Sequence, residues 1–190
     1  MKQDEKLIIV SAPSGSGKTT LIKYLMGQLP MFEFSISATT RPMREGETDG
    51  KDYYFLTVEK FNKLIEQQQF IEWEEVYEGR FYGTLKSEIT RIANKGKVAI
   101  FDVDVKGGIN IKKLYGSSAL SIFIQPPSIE VLEERLRIRA TDTEDDIKAR
   151  VNKAAEEMTY SSQFDQIVVN DNIEVSKTKL VDIVKEFLGK

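Results

Sequence analysis

The chain has 190 residues, 41% hydrophobic and 30% charged, enough to bury the core of one domain with insertions. Its 27 basic and 30 acidic residues leave a net charge of −3, which gives no general reason to expect nucleic acid or a membrane as partner, so any anion site must be built locally. Histidine and cysteine are absent, which excludes imidazole acid-base catalysis, thiol nucleophiles, disulfides and Cys/His zinc sites, while phosphoryl transfer, a chemistry of positioning and cations, survives.

The first residues, MKQDEK, are too acidic and too short for a signal peptide, and no apolar run approaches a membrane span, so a cytoplasmic protein is expected. Leu7, Ile8, Ile9 and Val10 then read as a short buried strand, and a helical pattern starts at Lys18. The turn between them is A-P-S-G-S-G-K-T, which departs from the phosphate-binding pattern G-x-x-x-x-G-K-[ST] only in carrying Ala12 where the first glycine belongs. Gly15 and Gly17 let the backbone fold back so that successive N–H groups face an anion, Lys18 can reach terminal phosphates, and the Thr19 hydroxyl can ligate Mg²⁺. Ala12 precedes the tight part of the loop and needs no positive φ.

Apolar residues at helical spacing predict a scaffold helix over 21–29, closed by Pro30, and residues 32–40 alternate as a half-exposed strand would. Pro42, Gly46 and Gly50 make the next segment irregular, a short helix follows over 58–69, and 70–77 reads as a strand leading to a hairpin turn and return strand over 78–83. A helix is predicted over 84–95 with Thr84 as cap and Glu88 inside the first turn, a buried strand over 97–104 ending in two carboxylates, a helix over 106–114, and a third buried strand over 119–124. Pro126 and Pro127 break the chain before a helix over 129–139, a long charged helix over 143–160 capped by Thr143 with Asp146, a strand over 166–169 and a helix over 175–188. Strands alternating with amphipathic helices argue for a parallel α/β core, and the antiparallel-looking stretch from about Phe34 to Gly83 reads as an inserted second lobe.

Three further groups carry chemistry. Asp102 and Asp104 end a buried strand, the edge where open α/β sheets bind ligands, and Asp102 there can hold a Mg²⁺-bound water; capping of the next helix is the alternative, stronger for Asp104. Arg41, Arg44 and Tyr53 offer guanidinium forks and a hydroxyl that suit a phosphate dianion, against the plainer reading of solvated loop arginines. Arg135, Arg139 and Arg150 form a second basic set that a mobile helical hairpin could bring over transferring phosphates, or that could pair with Glu133, Glu134 and Asp142.

The blocks SATTRPMREGETDGKDYYF, FIEWEEVYEGRFYGT, FDVDVKGG, RLRIRATDTEDDIKARV and IVVND, in that order after the phosphate loop, closely resemble guanylate kinase over nearly the whole chain. The resemblance implies an α/β fold: a P-loop NTPase parallel-sheet core (1–33, 85–125 and 161–190), an inserted mixed α+β GMP-binding lobe (34–84) and a helical lid (126–160). It implies transfer of the γ-phosphoryl group of ATP to GMP, with dGMP a further acceptor, giving ADP and GDP with Mg²⁺. ATP would be held by Ala12, Pro13, Ser14, Gly15, Ser16, Gly17, Lys18, Thr19 and Thr20, with Arg135 and Asn170, the latter at the adenine base. The GMP phosphate falls to Ser37, Arg41, Arg44, Tyr53 and Tyr82, and the guanine edge to Glu72, Thr84 and Asp104; Lys18, Arg41, Arg139 and Arg150 carry the catalysis, and Thr19 and Asp102 hold the metal. Thr84 stands where many members carry serine, and Ala140 where glycine is usual. Small-molecule substrates are the expected partners, without nucleic acid or membrane, and monomer and homo-oligomer are both compatible with the sequence. Two other readings stand beside this one: a guanylate-kinase-like module that binds phosphopeptides without catalysis, and a P-loop kinase for another small phosphate acceptor.

Overall fold

The computed structural model describes residues 6–138 and 143–189. In chain order the elements are β1 (Leu7–Ser11), α1 (Lys18–Gln28), β2 (Phe32–Phe34), β3 (Ala38–Thr39), β4 (Tyr54–Phe55), α2 (Val58–Glu66), β5 (Phe70–Tyr77) and β6 (Arg80–Leu85). They continue with α3 (Lys86–Ala93), β7 (Val98–Asp102), α4 (Val105–Tyr115), β8 (Ala119–Gln125), α5 (Ile129–Ile138), α6 (Glu144–Thr159), β9 (Gln166–Val169) and α7 (Ile173–Leu188). The chain divides into two compact units, one running to Met31 and resuming at Phe101, the other Phe32–Ile100.

In the first unit the end of β7, then β1, β8 and β9 lie side by side. β1 pairs in parallel with β8, Leu7 opposite Ala119, and β8 with β9, Ile122 opposite Gln166. Every residue of β1 is buried, as expected of a parallel strand covered on both faces, which is why it reads as a continuous apolar run. Helix α4 lays Val105 and Ile109 against Phe123 and Phe164, and α5 and α6 close on each other through Leu132, Leu136, Ile147 and Ala154. Among the described residues, no helix is long and apolar enough to cross a membrane.

In the second unit β2 pairs in parallel with the first half of β7, and a separate four-stranded mixed sheet runs β4-β3-β6-β5. One face of that sheet is closed by α2, whose Phe61 stacks on Phe70 at 4.4 Å and meets Phe81 at 5.4 Å. Gly79, at φ +69°, turns β5 into β6.

Three local expectations are corrected. The alternating run over 32–40 is two strands in different sheets, because the Ile36 N–H is taken by the Glu88 carboxylate at 2.7 Å instead of a strand neighbour. Thr84 does not cap a helix: it lies in β6 opposite Glu72, its hydroxyl is committed there, and α3 starts at Lys86. The final helix begins earlier than its apolar pattern, because the Asn172 side chain accepts from the N–H groups of Glu174 and Val175. The Thr143–Asp146 capping box of α6 is present as read from the sequence.

Candidate functional site

The first unit builds its site where β1 turns into α1. Gly15 and Gly17 take φ values of +92° and +88°, a left-handed conformation in which a side chain is strained, and this is what folds the loop back on itself. Gln68 is the sole non-glycine with positive φ among the described residues, so Ala12 carries no such demand. The loop is braced from behind by Asn170, 4% exposed at the end of β9, whose Nδ2 donates to the Ser16 carbonyl at 2.7 Å. From a third side α5 covers it, with Leu136 and Leu132 packed over Gly15.

Lys18, at the first position of α1, forms an ion pair with Asp102 and reaches the Val103 carbonyl at 3.5 Å. The structure therefore gathers the loop lysine and the carboxylate that ends β7. Thr19 and Thr20 follow, exposed. Asp104 caps α4, its Oδ1 accepting from the Gly107 N–H at 2.9 Å, and its backbone carbonyl accepts from the Ser11 hydroxyl at 3.1 Å.

Two of the three arginines read as a set converge on this loop. Arg150, on α6, donates from Nη1 to the Ser14 hydroxyl at 2.9 Å, and Arg135, on α5, donates to the Asn170 carbonyl at 3.0 Å. Arg137, also on α5, bridges Glu133 and Glu144, and Asp142, considered as a partner for the basic set, lies outside the described residues. Arg139 and Ala140 lie outside the described residues. The Glu157 carboxyl on α6 is pushed up by burial, against the lowering pull of Lys153 and Lys18.

The second unit gathers a different set. Arg41, 7% exposed, makes a two-pronged contact with Glu47, Nη2 to Oε1 at 2.7 Å and Nη1 to Oε2 at 2.9 Å, while the Arg44 N–H donates to the same Oε2 at 2.7 Å. The Arg41 hydrogen bond holds the Glu47 carboxyl down at about 2, helped by the Arg44 N–H, and Glu47 in turn raises Arg41. The Arg41 guanidinium lies 5.3 Å from the centre of the Tyr53 ring, and Tyr53 meets Tyr82 edge-on at 6.2 Å. Arg41, Tyr53 and Tyr82 thus form one cationic and phenolic cluster, to which Arg44 is tied through its N–H on Glu47, with Ser37 one residue before β3, its carbonyl bound by the Tyr54 N–H at 2.9 Å.

Beside that cluster, on β5 and β6, the buried Thr84 hydroxyl donates to Glu72 Oε1 at 2.7 Å. Tyr82 and Thr84 are two apart in one strand and share a sheet face, about 7 Å from each other along it. Gly83 between them is the point of closest approach: a Cβ there would meet Glu72 O and Trp73 Cβ at 2.8 Å and Phe70 Cδ1 at 2.9 Å.

Sequence reasoning missed Glu47, Glu88 and Glu157. Glu47 was legible only as one more acid in a charged loop, and Glu88 as a first-turn helical acid.

The guanylate kinase family model matches residues 4–187. The chain is 54% identical over 185 residues to a guanylate kinase of Bacteroides thetaiotaomicron, covering 97% of this chain and 91% of that protein, and 49% identical over 186 residues to one of Porphyromonas gingivalis, covering 97% and 99%. A crystal structure of guanylate kinase from Anaplasma phagocytophilum superposes with a TM-score of 0.75 at 31% identity, over 95% of this chain and 85% of that one. A phosphate loop with its lysine and threonine in place, a second unit with a buried carboxylate–hydroxyl pair beside an arginine cluster, and likeness along almost the full length lead to one assignment: the chain belongs to the guanylate kinase family.

Proposed function

We infer that the protein transfers the γ-phosphoryl group of ATP to GMP, giving ADP and GDP, with dGMP as a second acceptor. The observation that carries the acceptor is the buried Glu72–Thr84 pair. Guanine offers adjacent N1–H and N2–H donors and an O6 acceptor. Its N–H groups replace the Thr84 proton on Glu72, which frees that hydroxyl to donate to O6. Adenine brings a lone pair at N1, which meets the carboxylate with no proton between them and is rejected. Asp104 already spends one carboxylate oxygen on α4, and its assignment to guanine follows the family resemblance alone.

The GMP phosphate is assigned to Arg41, Arg44, Tyr53 and Tyr82 with Ser37, and we take 34–84 as the acceptor lobe and 126–160 as the lid, the remainder being the core. The two-pronged Glu47 contact fixes the Arg41 fork in one orientation, so little side-chain freedom remains to be lost when the dianion binds. On the donor side the loop from Ala12 to Thr20, through the backbone N–H groups that follow Pro13, and the N-terminus of α1 take the ATP phosphates, and Lys18 exchanges Asp102 for phosphate oxygen. Arg150 already reaches Ser14, and together with Arg135 and Arg139 it neutralises charge on the transferring group. Catalysis of this kind is positional, and its rate depends on an acceptor oxygen standing in line with the bond that breaks.

Thr19 and Asp102 are the residues assigned to Mg²⁺. A hydroxyl and a carboxylate are hard oxygen donors of the kind that Mg²⁺ takes, and these two would hold it beside the phosphates. Bound there, the ion supplies charge neutralisation at the phosphates. A small-molecule enzyme acting in the cytoplasm, without nucleic-acid partners, accords with the near-neutral charge.

The test is a steady-state panel with ATP and GMP, dGMP, AMP, UMP and CMP. Turnover confined to the guanine nucleotides is expected. Preference for another acceptor, or ATP binding without turnover, refutes the reading, and failure to bind ATP at all indicates a peptide-binding module.

A further inference from the structure

Glu88 sits in the first turn of α3, only 1% exposed, and four hydrogen bonds converge on its carboxylate. Oε2 accepts from the Ile36 N–H at 2.7 Å and from Arg91 Nη2 at 2.8 Å; Oε1 accepts from the Tyr54 hydroxyl and from Arg91 Nε, each at 2.8 Å. Arg91 is anchored in turn by an ion pair with Glu33 and by the Phe34 carbonyl at 3.0 Å, and Lys95 also pairs with Glu33 at 2.6 Å. Burial alone would push the Glu88 carboxyl up; the hydrogen bonds from Arg91, Ile36 and Tyr54 outweigh it and hold the group below its ordinary value. A buried carboxylate with every lone-pair direction answered is rigid, and removing one partner leaves charge uncompensated.

Neither the phosphate loop nor the Glu72–Thr84 pair uses this cluster, and its two non-arginine partners, Ile36 and Tyr54, tie it to the acceptor side. Ile36 directly precedes Ser37, and Tyr54 directly follows Tyr53. The two strips are joined by the hydrogen bond from Tyr54 N–H to the Ser37 carbonyl at 2.9 Å, where β3 and β4 pair in parallel. One carboxylate therefore clamps the backbone leading into Ser37 and the side chain next to Tyr53, so that both strips are set from the base of α3.

We propose that Glu88, held by Arg91, is a positioning residue for the acceptor phosphate: by binding the Ile36 N–H and the Tyr54 hydroxyl together it fixes where the Ser37 and Tyr53 hydroxyls stand. It touches no substrate. The inference rests on the assignment of Ser37 and Tyr53 to the GMP phosphate.

The experiment uses the full chain in steady-state kinetics with both substrates varied, and thermal unfolding alongside. Tyr54→Phe removes one hydroxyl and leaves the ring, and Glu88→Gln keeps the shape of the clamp without its charge. Each is expected to raise KM for GMP roughly tenfold while KM for ATP stays within about a factor of two, the pattern of a displaced binding group on one substrate only. The double variant is expected to resemble Glu88→Gln alone in KM for GMP, since both changes act through one contact. A purely structural role would lower the unfolding temperature and leave the ratio of the two KM values unchanged, and that result overturns the proposal. Tyr54→Phe decides the matter if Glu88→Gln does not fold. Ser37→Ala and Tyr53→Phe are run in parallel. If they raise KM for GMP and the clamp variants do not, positioning by Glu88 is refuted and the phosphate assignment stands; if neither raises it, the phosphate assignment falls and the inference with it.

Discussion

Gly17→Ala asks how tightly the phosphate loop is braced. At φ +88° an alanine is held in the left-handed region, at about 1–2 kcal/mol. Its Cβ would also overlap Asn170 Nδ2, so the amide must leave the Ser16 carbonyl that it binds at 2.7 Å. Breaking a buried hydrogen bond and leaving its partners unsatisfied adds about 1–3 kcal/mol. The sum, roughly 2–5 kcal/mol, corresponds to a fall in unfolding temperature of roughly 5–15 °C for a chain of this size. The same distortion redirects the loop amides, so the Kd for ATP rises at least about tenfold. Calorimetric titration with ATP and thermal unfolding measure both effects. Asn170→Ala removes the brace without a clash, and in the double variant the overlap is gone and the hydrogen bond is lost only once. The double variant should therefore be less damaged than the singles summed, by about 1 kcal/mol or more. Strict additivity, or Gly17→Ala with unaltered ATP affinity, refutes the idea that Asn170 and Gly17 share this space.

Lys18→Ala should abolish turnover while GMP still binds, measured by GMP titration beside the kinetic assay; an unchanged rate removes Lys18 from catalysis. Thr84→Val keeps the volume but deletes the hydroxyl that turns from Glu72 to donate to guanine O6, a neutral hydrogen bond of about 0.5–1.5 kcal/mol, so KM for GMP should rise roughly twofold to tenfold with ATP unaffected. Glu47 is depressed from 4.5 to about 2, so the stability it gives is fully present above its ordinary value and is lost as pH falls from there toward about 2. The unfolding temperatures of the wild type and Glu47→Gln should accordingly converge between those two pH values; a constant difference between the curves would refute the contribution.

The elements legible in the residue order are those whose cause is local. The phosphate loop was legible because glycine is strongly favoured where φ is positive and because the strand before it is buried on both faces. The Thr143–Asp146 capping box and the strand over 70–77 were legible for similar reasons, since short-range hydrogen bonds and periodicity announce them. The residue blocks around Arg41, Glu72 and Thr84 also pointed to the family.

The roles of the isolated carboxylates emerge only in the folded chain. Glu88 and Thr84 both looked like features of a helix start, yet one binds Ile36, fifty-two positions away, and the other binds Glu72 across a hairpin. Asp104, read as either a cap or a ligand, caps α4 with one carboxylate oxygen, and Asp102 is paired with Lys18. Glu47 was hidden because a charge in a loop has no periodicity, and its value depends on the fold that brings Arg41 within hydrogen-bond reach. A hydrogen bond acts over about 3 Å, so the role of a polar side chain is set by neighbours that the chain brings close only once it is folded.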